Sequence, residues 1–212
     1  MTSPSPDDPR ERIIAVATRL FASFGYDGTS TRLIAETAGL NIATVAYHVG
    51  GKRDLYLTVM ERAHQAERAA LDAAAASCAA DAAGLRRLLD AYVDFCVAHP
   101  EVPALWVHRW QSDAADIADL EGRYARPLIE RTAELVRAAA GDGAADAEYA
   151  VMTVIWCTHG FCRGGVPGPD GRRGIDDPAE VARFRAHLHR LNDAMLGLGP
   201  GCGVPGGGGA RA

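Results

Sequence analysis

The chain has 212 residues, a net charge of −5 and 48% apolar side chains, enough to bury one large domain or a small one joined to a larger one, and too acidic for a surface coated in positive charge. It has no run of about 18 uninterrupted apolar residues of the kind a transmembrane helix needs, and its opening MTSPSPDDPRER lacks the apolar core of a signal peptide, so a soluble cytoplasmic protein is the expectation. The five cysteines, Cys78, Cys96, Cys157, Cys162 and Cys202, are an odd, sparse set that reads as free thiols.

Residues 1–7 read as disordered. Asp8-Pro9-Arg10-Glu11 then starts a helix: Asp8 caps it, Pro9 suits the first helical position, and Glu11 is placed to reach back to the cap N–H. Ile13, Ala17, Leu20 and Phe24 follow at helical spacing, with Ile14 and Phe21 beside them, and Gly25 ends the helix.

Residues 31–52, TRLIAETAGLNIATVAYHVGGK, read as a helix-turn-helix. A first short helix spans about 31–38, with Ile34 and Ala35 as its apolar contacts. Gly39 supplies the left-handed conformation at its end. Leu40 fills the turn, and Asn41 caps a second helix over about 42–48. Two short helices around a glycine-containing turn are the geometry that sets a recognition helix into a DNA groove. Val45 is expected in the core, with Ile42, Ala43, Thr44 and Tyr47 on the exposed side. Ser30 and Thr31 suit both helix capping and phosphate contact, and Arg32, His48 and Lys52 are placed to reach the backbone. The candidate DNA-binding set is Ser30, Thr31, Arg32, Asn41, Ile42, Ala43, Thr44, Tyr47, His48 and Lys52. Residues 1–60 carry six positive and six negative charges, so the rest of the chain holds the whole −5. A local basic footprint on an acidic body is compatible with one DNA-binding face.

These pieces resemble the tetracycline-repressor (TetR) family of transcriptional regulators. The resemblance rests on FASFGYDGTS, TRLIAETAGL, Ala43-Thr44-Val45, the run YHVGGK and Leu55-Tyr56, over roughly residues 8–60; beyond that the chain resembles the family in length and helical character. One departure is Ala46, where the family usually places a Tyr whose hydroxyl touches phosphate; Tyr47 and His48 must carry more of that contact. The resemblance implies a homodimer on a near-palindromic double-stranded DNA operator, usually a repressor, released by a small molecule bound in the larger domain.

A long helix is expected from Arg53 to near Ala80, leaving the DNA-binding unit and entering the larger domain. Leu85, Leu88, Leu89, Tyr92, Phe95 and Cys96 mark the next, which stops at Pro100. A short helix over 102–111 holds Trp106, His108 and Trp110. Ile117, Leu120, Tyr124, Leu128 and Leu135 continue at helical spacing to Gly141, with a kink expected at Pro127. Residues 149–161 are apolar on nearly every side, as in a core or an interface. Residues 164–176 are a loop by composition. Asp177-Pro178 starts the last helix, whose Val181, Phe184, Leu188, Leu191 and Met195 form a seam of coiled-coil type, flanked by His187 and His189.

The fold class expected is all-α, of about nine helices: a three-helix helix-turn-helix domain over 8–55, a helical effector-binding and dimerisation domain over 56–198, and a disordered Gly-rich tail over 199–212. An apolar or aromatic small-molecule effector is expected among Tyr92, Phe95, Trp106, His108, Trp110 and Tyr124. A dimer interface is expected through Val151, Ile155, Val181, Phe184, Leu188, Leu191 and Met195. No membrane partner, cofactor motif or standard metal pattern is read. The spacing Cys157-x-His159-x-x-Cys162 leaves open a metal- or thiol-responsive variant of the same regulator. An enzyme lacks its usual signals, since no nucleophile elbow, phosphate-binding loop or dinucleotide motif is present. A helical interaction protein without DNA binding would have no need of Thr44, Tyr47 and Lys52 beside the Gly39 turn.

Overall fold

Asp8 begins the first helix as expected. Its carboxylate accepts from Arg10 N–H at 2.9 Å and Pro9 takes the first helical position, opening α1, Pro9–Phe24. Glu11 does not fold back onto the cap. It forms a two-pronged ion pair with Arg62, at 2.6 and 2.8 Å, tying the start of α1 to a helix fifty residues on. Phe21 rather than Phe24 carries the apolar face to its end; Phe24 stands outside the core.

The structure, a computed structural model, describes residues 8–111, 113–117, 119–140 and 146–198; the expectations for residues 1–7, Gly141 and the tail with Cys202 lie outside them. After α1 come α2, Thr31–Ala38, and α3, Ile42–Val49. Gly39 holds φ 66°, ψ 34°, and the N–H groups of Gly39 and Leu40 return to Glu36 and Ala35, closing α2 in a left-handed cap. α4, Lys52–Ala76, runs unbroken out of this three-helix unit and stops four residues short of the expected end.

The larger part contains α5, Ala82–Ala98; α6, Glu101–Trp110; α7, Arg126–Ala140; α8, Ala147–Gly164; and α9, Pro178–Met195. The irregularity expected at Pro127 takes the form of a π turn. This wide turn, Glu121–Ala125, runs directly into α7, and Pro127 sits just after it in the continuous helix, where the wider turn accommodates its ring and missing N–H. Residues 164–176 are not all loop: β1, Val166–Gly168, pairs antiparallel with β2, Gly171–Arg173, around a Pro169-Asp170 turn. Among the described residues the fold is therefore all-α, nine α-helices with one small hairpin.

One core cluster runs from Ile13, Phe21, Ile34 and Val45 through Tyr56 and Met60 of α4 to Phe95, Leu105 and Tyr124, so the two parts of the molecule share a continuous apolar interior. The rings of Phe21, Tyr26 and Tyr56 meet at its centre, with centroids 4.9 to 6.1 Å apart. α9 is fastened to α5 by Arg86–Asp193, His189–Asp90 and Arg185 with Asp90 and Asp94. No described helix is long and apolar enough to cross a membrane.

Candidate functional site

The helix-turn-helix face is built by its caps. Ser30 Oγ accepts from Leu33 N–H at 3.1 Å, and Asn41 Oδ1 accepts from both the N–H and the hydroxyl of Thr44, at 2.8 and 3.0 Å. The carbonyl side of Asn41 is thereby occupied and its amide N–H groups face out. Val45 is fully buried, which turns Ile42, Ala43, Ala46 and Tyr47 outward; Tyr47 is 86% exposed, with its ring edge-on to His48. Thr31 and Thr44 are half-buried at the helix starts. Arg32 is exposed and paired with Glu36 at 2.9 Å.

Two residues of this region turn inward. Thr29, beside the candidate phosphate contacts, is buried and donates to Gly25 O at 2.7 Å, so it shapes the turn. Lys52 directs its ammonium inward: Nζ donates to Tyr26 O at 2.9 Å and lies 4.1 Å from the Tyr26 ring centroid. The exposed cation at this corner is the neighbouring Arg53.

A cavity of about 450 Å³ lies between α4, α5, α6, the π turn, α7 and α8, with Asn192 of α9 also on its wall. Of the expected ligand residues, Tyr92, Trp106 and Trp110 line it, and Trp106 and Trp110 do so from one face of α6. Phe95, His108 and Tyr124 do not. Phe95 packs beside His99, Tyr124 lies on the His64 ring at 5.0 Å, and His108 Nε2 donates to Ala22 O of α1 at 3.2 Å. Apolar spacing could not separate these fates, because cavity wall and core look alike in sequence.

The sequence reading missed Glu67, Glu121 and His159 as wall residues. His159 accepts or donates at Nε2 with the Tyr92 hydroxyl, 2.8 Å away, and stacks on Trp110 at 5.0 Å. Burial pushes its pKa down to about 4, so the ring is neutral. Burial likewise pushes the Glu67 carboxyl up to about 7. Cys157, His159 and Cys162 do not converge: Cys157 packs towards Leu188, His159 meets Tyr92 and Trp110, and Cys162 Sγ points at Cys96 O. Burial raises the Cys162 thiol to about 11 and also raises Cys157.

Several expected dimer residues are used within the chain. Val151 and Ile155 line the cavity. Leu188 is fully buried against Leu89 and Val93, and Phe184 stacks on Phe161 at 4.2 Å. Val181, Leu191 and Met195 are half-buried. A three-and-four apolar stripe marks the buried face of a helix and does not say which neighbour buries it. The face left outward on α8 carries Tyr149 and Trp156, and that on α9 is rich in small residues, Ala179, Ala182 and Ala186.

The cavity and the helix-turn-helix are joined through α6 as well as α4. Arg109, on α6, pairs with the cavity residue Glu121 at 2.7 Å and donates to the carbonyls of Asp113 and Ala114. Asp113 in turn accepts from the N–H groups of Tyr26 and Asp27, just beyond α1. Gly25, at φ 74°, makes room for it, since a Cβ there would lie 2.9 Å from Asp113 Oδ1.

Residues 13–59 match the family model described as bacterial regulatory proteins, tetR family. The HTH-type transcriptional dual regulator CecR of Shigella flexneri is 43% identical over 51 residues, 24% of this chain and 22% of that protein. The chain spans less than a third of the length of the curated relatives it matches. Solved structures extend the likeness in fold. A tetR-family regulatory protein from Rhodococcus RHA1 superposes with a TM-score of 0.72 at 21% identity, covering 90% of this chain and 97% of that one. AibR, solved in complex with isovaleryl coenzyme A and operator DNA, gives 0.66 at 16% identity, covering 90% and 97%. Residues 13–59 thus carry the sequence pattern of the tetR family of bacterial regulatory proteins, and over about 90% of its length the chain has the fold of TetR-like regulators.

Proposed function

We propose that the chain is a ligand-responsive transcriptional regulator, a cytoplasmic homodimer that represses from a near-palindromic operator and is released by a small molecule. It acts by binding rather than by catalysis. We read residues 8–55 as the DNA-binding domain and 56–198 as the effector-binding and dimerisation domain, with α4 crossing the boundary.

The observation that carries the reading is the run of bonds from the cavity to the end of α1. Trp106, Trp110 and Glu121 wall the cavity, Arg109 ties Glu121 to the turn at Asp113, and Asp113 holds Tyr26 and Asp27. An occupant that shifts α6 therefore shifts the frame on which α2 and α3 sit. Two recognition helices in a dimer meet successive major grooves about 34 Å apart, so a small tilt lowers affinity. The size of that effect is bounded by the occupant's differential affinity for the two states. That AibR binds both a small molecule and operator DNA supports the combination on this fold.

The test is a titration of the full chain with duplex DNA flanking its own gene, followed by fluorescence anisotropy, at two salt concentrations. Nanomolar binding that weakens steeply with salt supports the reading. Affinity equal to that for random duplex rejects it.

A further inference from the structure

Glu67 stands on α4, lines the cavity, and has no hydrogen-bond or ion-pair partner among the described residues. A carboxylate in such a place is costly unless something compensates its charge. The rest of the wall does not. His159 is neutral and its Nε2 is taken by the Tyr92 hydroxyl. Glu121 already has Arg109, and Glu148 lies at the rim, 3.6 Å from Arg137. The one cationic side chain lining the cavity among the described residues, Arg126, is exposed. Tyr92 and Cys96 of α5 lie close enough to Glu67 to feel its charge: both are pushed upward, first by burial and then by their neighbours, Glu67 among them.

The cavity wall thus combines a half-buried, unanswered carboxyl with the rings of Tyr92, Trp106 and Trp110 and aliphatic side chains such as Leu88, Leu89 and Val151. A carboxylate beside aromatic rings attracts a cation twice, by charge and by the ring quadrupole. The volume, about 450 Å³, is that of a small-molecule site. We propose that the cavity takes an amphipathic organic cation, an ammonium on an aromatic or aliphatic body, with its charge seated against Glu67. This rests on the reading of the cavity as the effector site.

Three probes with one body and different heads test it: 4-phenylbutyltrimethylammonium, 5-phenylpentan-1-ol and 5-phenylpentanoate. Each is titrated into the full chain at pH 8, followed by calorimetry and tryptophan fluorescence. The cation is expected to bind roughly tenfold or more tighter than the alcohol, with the carboxylate weakest. Glu67→Gln should bring cation and alcohol to within about twofold while leaving the alcohol's affinity in place. Wild-type protein gives a second measurement that needs no variant: the cation's advantage should shrink as the pH falls and Glu67 takes up its proton. Binding of none of the three, no preference for the cation, a preference that survives Glu67→Gln or low pH, or tightest binding by the carboxylate would each overturn the proposal. DNA affinity is read alongside. A Glu67-dependent cation preference with no effect on DNA keeps this inference and removes the regulatory one; DNA release by the alcohol or the carboxylate, without cation preference, does the reverse.

Discussion

Asp113 and Tyr26, 87 residues apart in sequence, are joined by a 2.6 Å hydrogen bond from the Tyr26 N–H to the Asp113 carboxylate, and the second carboxylate oxygen takes the Asp27 N–H at 2.8 Å. Hydrogen bonds to a charged group contribute about 1.5–3 kcal/mol. Asp113→Ala should lower stability by about 2 kcal/mol and speed hydrogen exchange at the Tyr26 and Asp27 amides. It should also leave operator affinity less sensitive to whatever fills the cavity. A variant that melts as the wild type and keeps full sensitivity would show that α4 alone carries the coupling.

Lys52 and Arg53 separate packing from phosphate binding. The Lys52 ammonium is held by Tyr26, so Lys52→Met should cost about 1 kcal/mol of stability. Arg53 is exposed. Arg53→Ala should leave the melting temperature within error, weaken binding to all sequences alike, and reduce the salt slope by about one. A larger change in salt slope for Lys52→Met than for Arg53→Ala would show that Lys52 leaves Tyr26 when DNA binds.

Tyr47 makes no contact that the fold needs, and 86% of it is open to solvent. Tyr47→Ala should therefore weaken operator binding by about 1–2 kcal/mol without changing thermal stability. Thr44→Val breaks the hydroxyl bond to Asn41 and should alter both the N-cap and the preference between DNA sequences, read by competition between operator variants. Unchanged operator affinity in Tyr47→Ala would remove this residue from the interface.

Leu188 is a core residue of the single chain, so Leu188→Glu should unfold the protein rather than separate a dimer. Trp156, 48% exposed on α8, is the better probe of association. Trp156→Glu should yield a folded monomer by sedimentation velocity, with unchanged far-UV circular dichroism. A dimer that survives this charge would place the interface away from α8.

The Glu67 carboxyl has its folded pKa raised from 4.5 to about 7 by burial. The folded state therefore holds this proton more tightly than the unfolded chain, so the stability linked to it is complete below pH 4.5 and lost as the pH rises through 7. The difference reaches about 3 kcal/mol above that pH. Glu67→Gln should accordingly stabilise the unliganded protein at pH 8 by up to that amount and have no effect near pH 4, as denaturant titrations at the two pH values would measure. Equal effects at both would place the carboxyl in water.

The helix-turn-helix was legible almost residue by residue because its signals are local. Ser30, Gly39 and Asn41 act on their own helix ends, and Pro9 and Pro178 mark starts that the backbone must respect. The cavity was half legible. Trp106 and Trp110 could be grouped by spacing, but only tertiary packing decides that His108 turns to α1 while His159, fifty residues later, completes the wall. The seam of α9 misled for the same reason: Leu188 and Phe184 announce a buried face, and what buries them lies on α5 and α8 of the same chain.

The π turn has a consequence for how tightly α7 is indexed. The N–H of Arg126 returns to the carbonyl of Glu121, five residues back instead of four, so this turn holds one residue more than an α turn would. The extra residue is absorbed within this one turn, so Arg126 sits where the fourth residue after Glu121 would sit in an α-helix, and Ile129, Thr132 and Val136 keep their faces toward the cavity. A one-residue deletion within α7 itself would turn all that follows by roughly 100°. A deletion of Gly122 or Arg123 would instead let the wide turn close as ordinary helix and leave the chamber's α7 wall in register. The segment 121–125 is thus the place in this wall where chain length can change by one residue without changing which side chains meet an occupant.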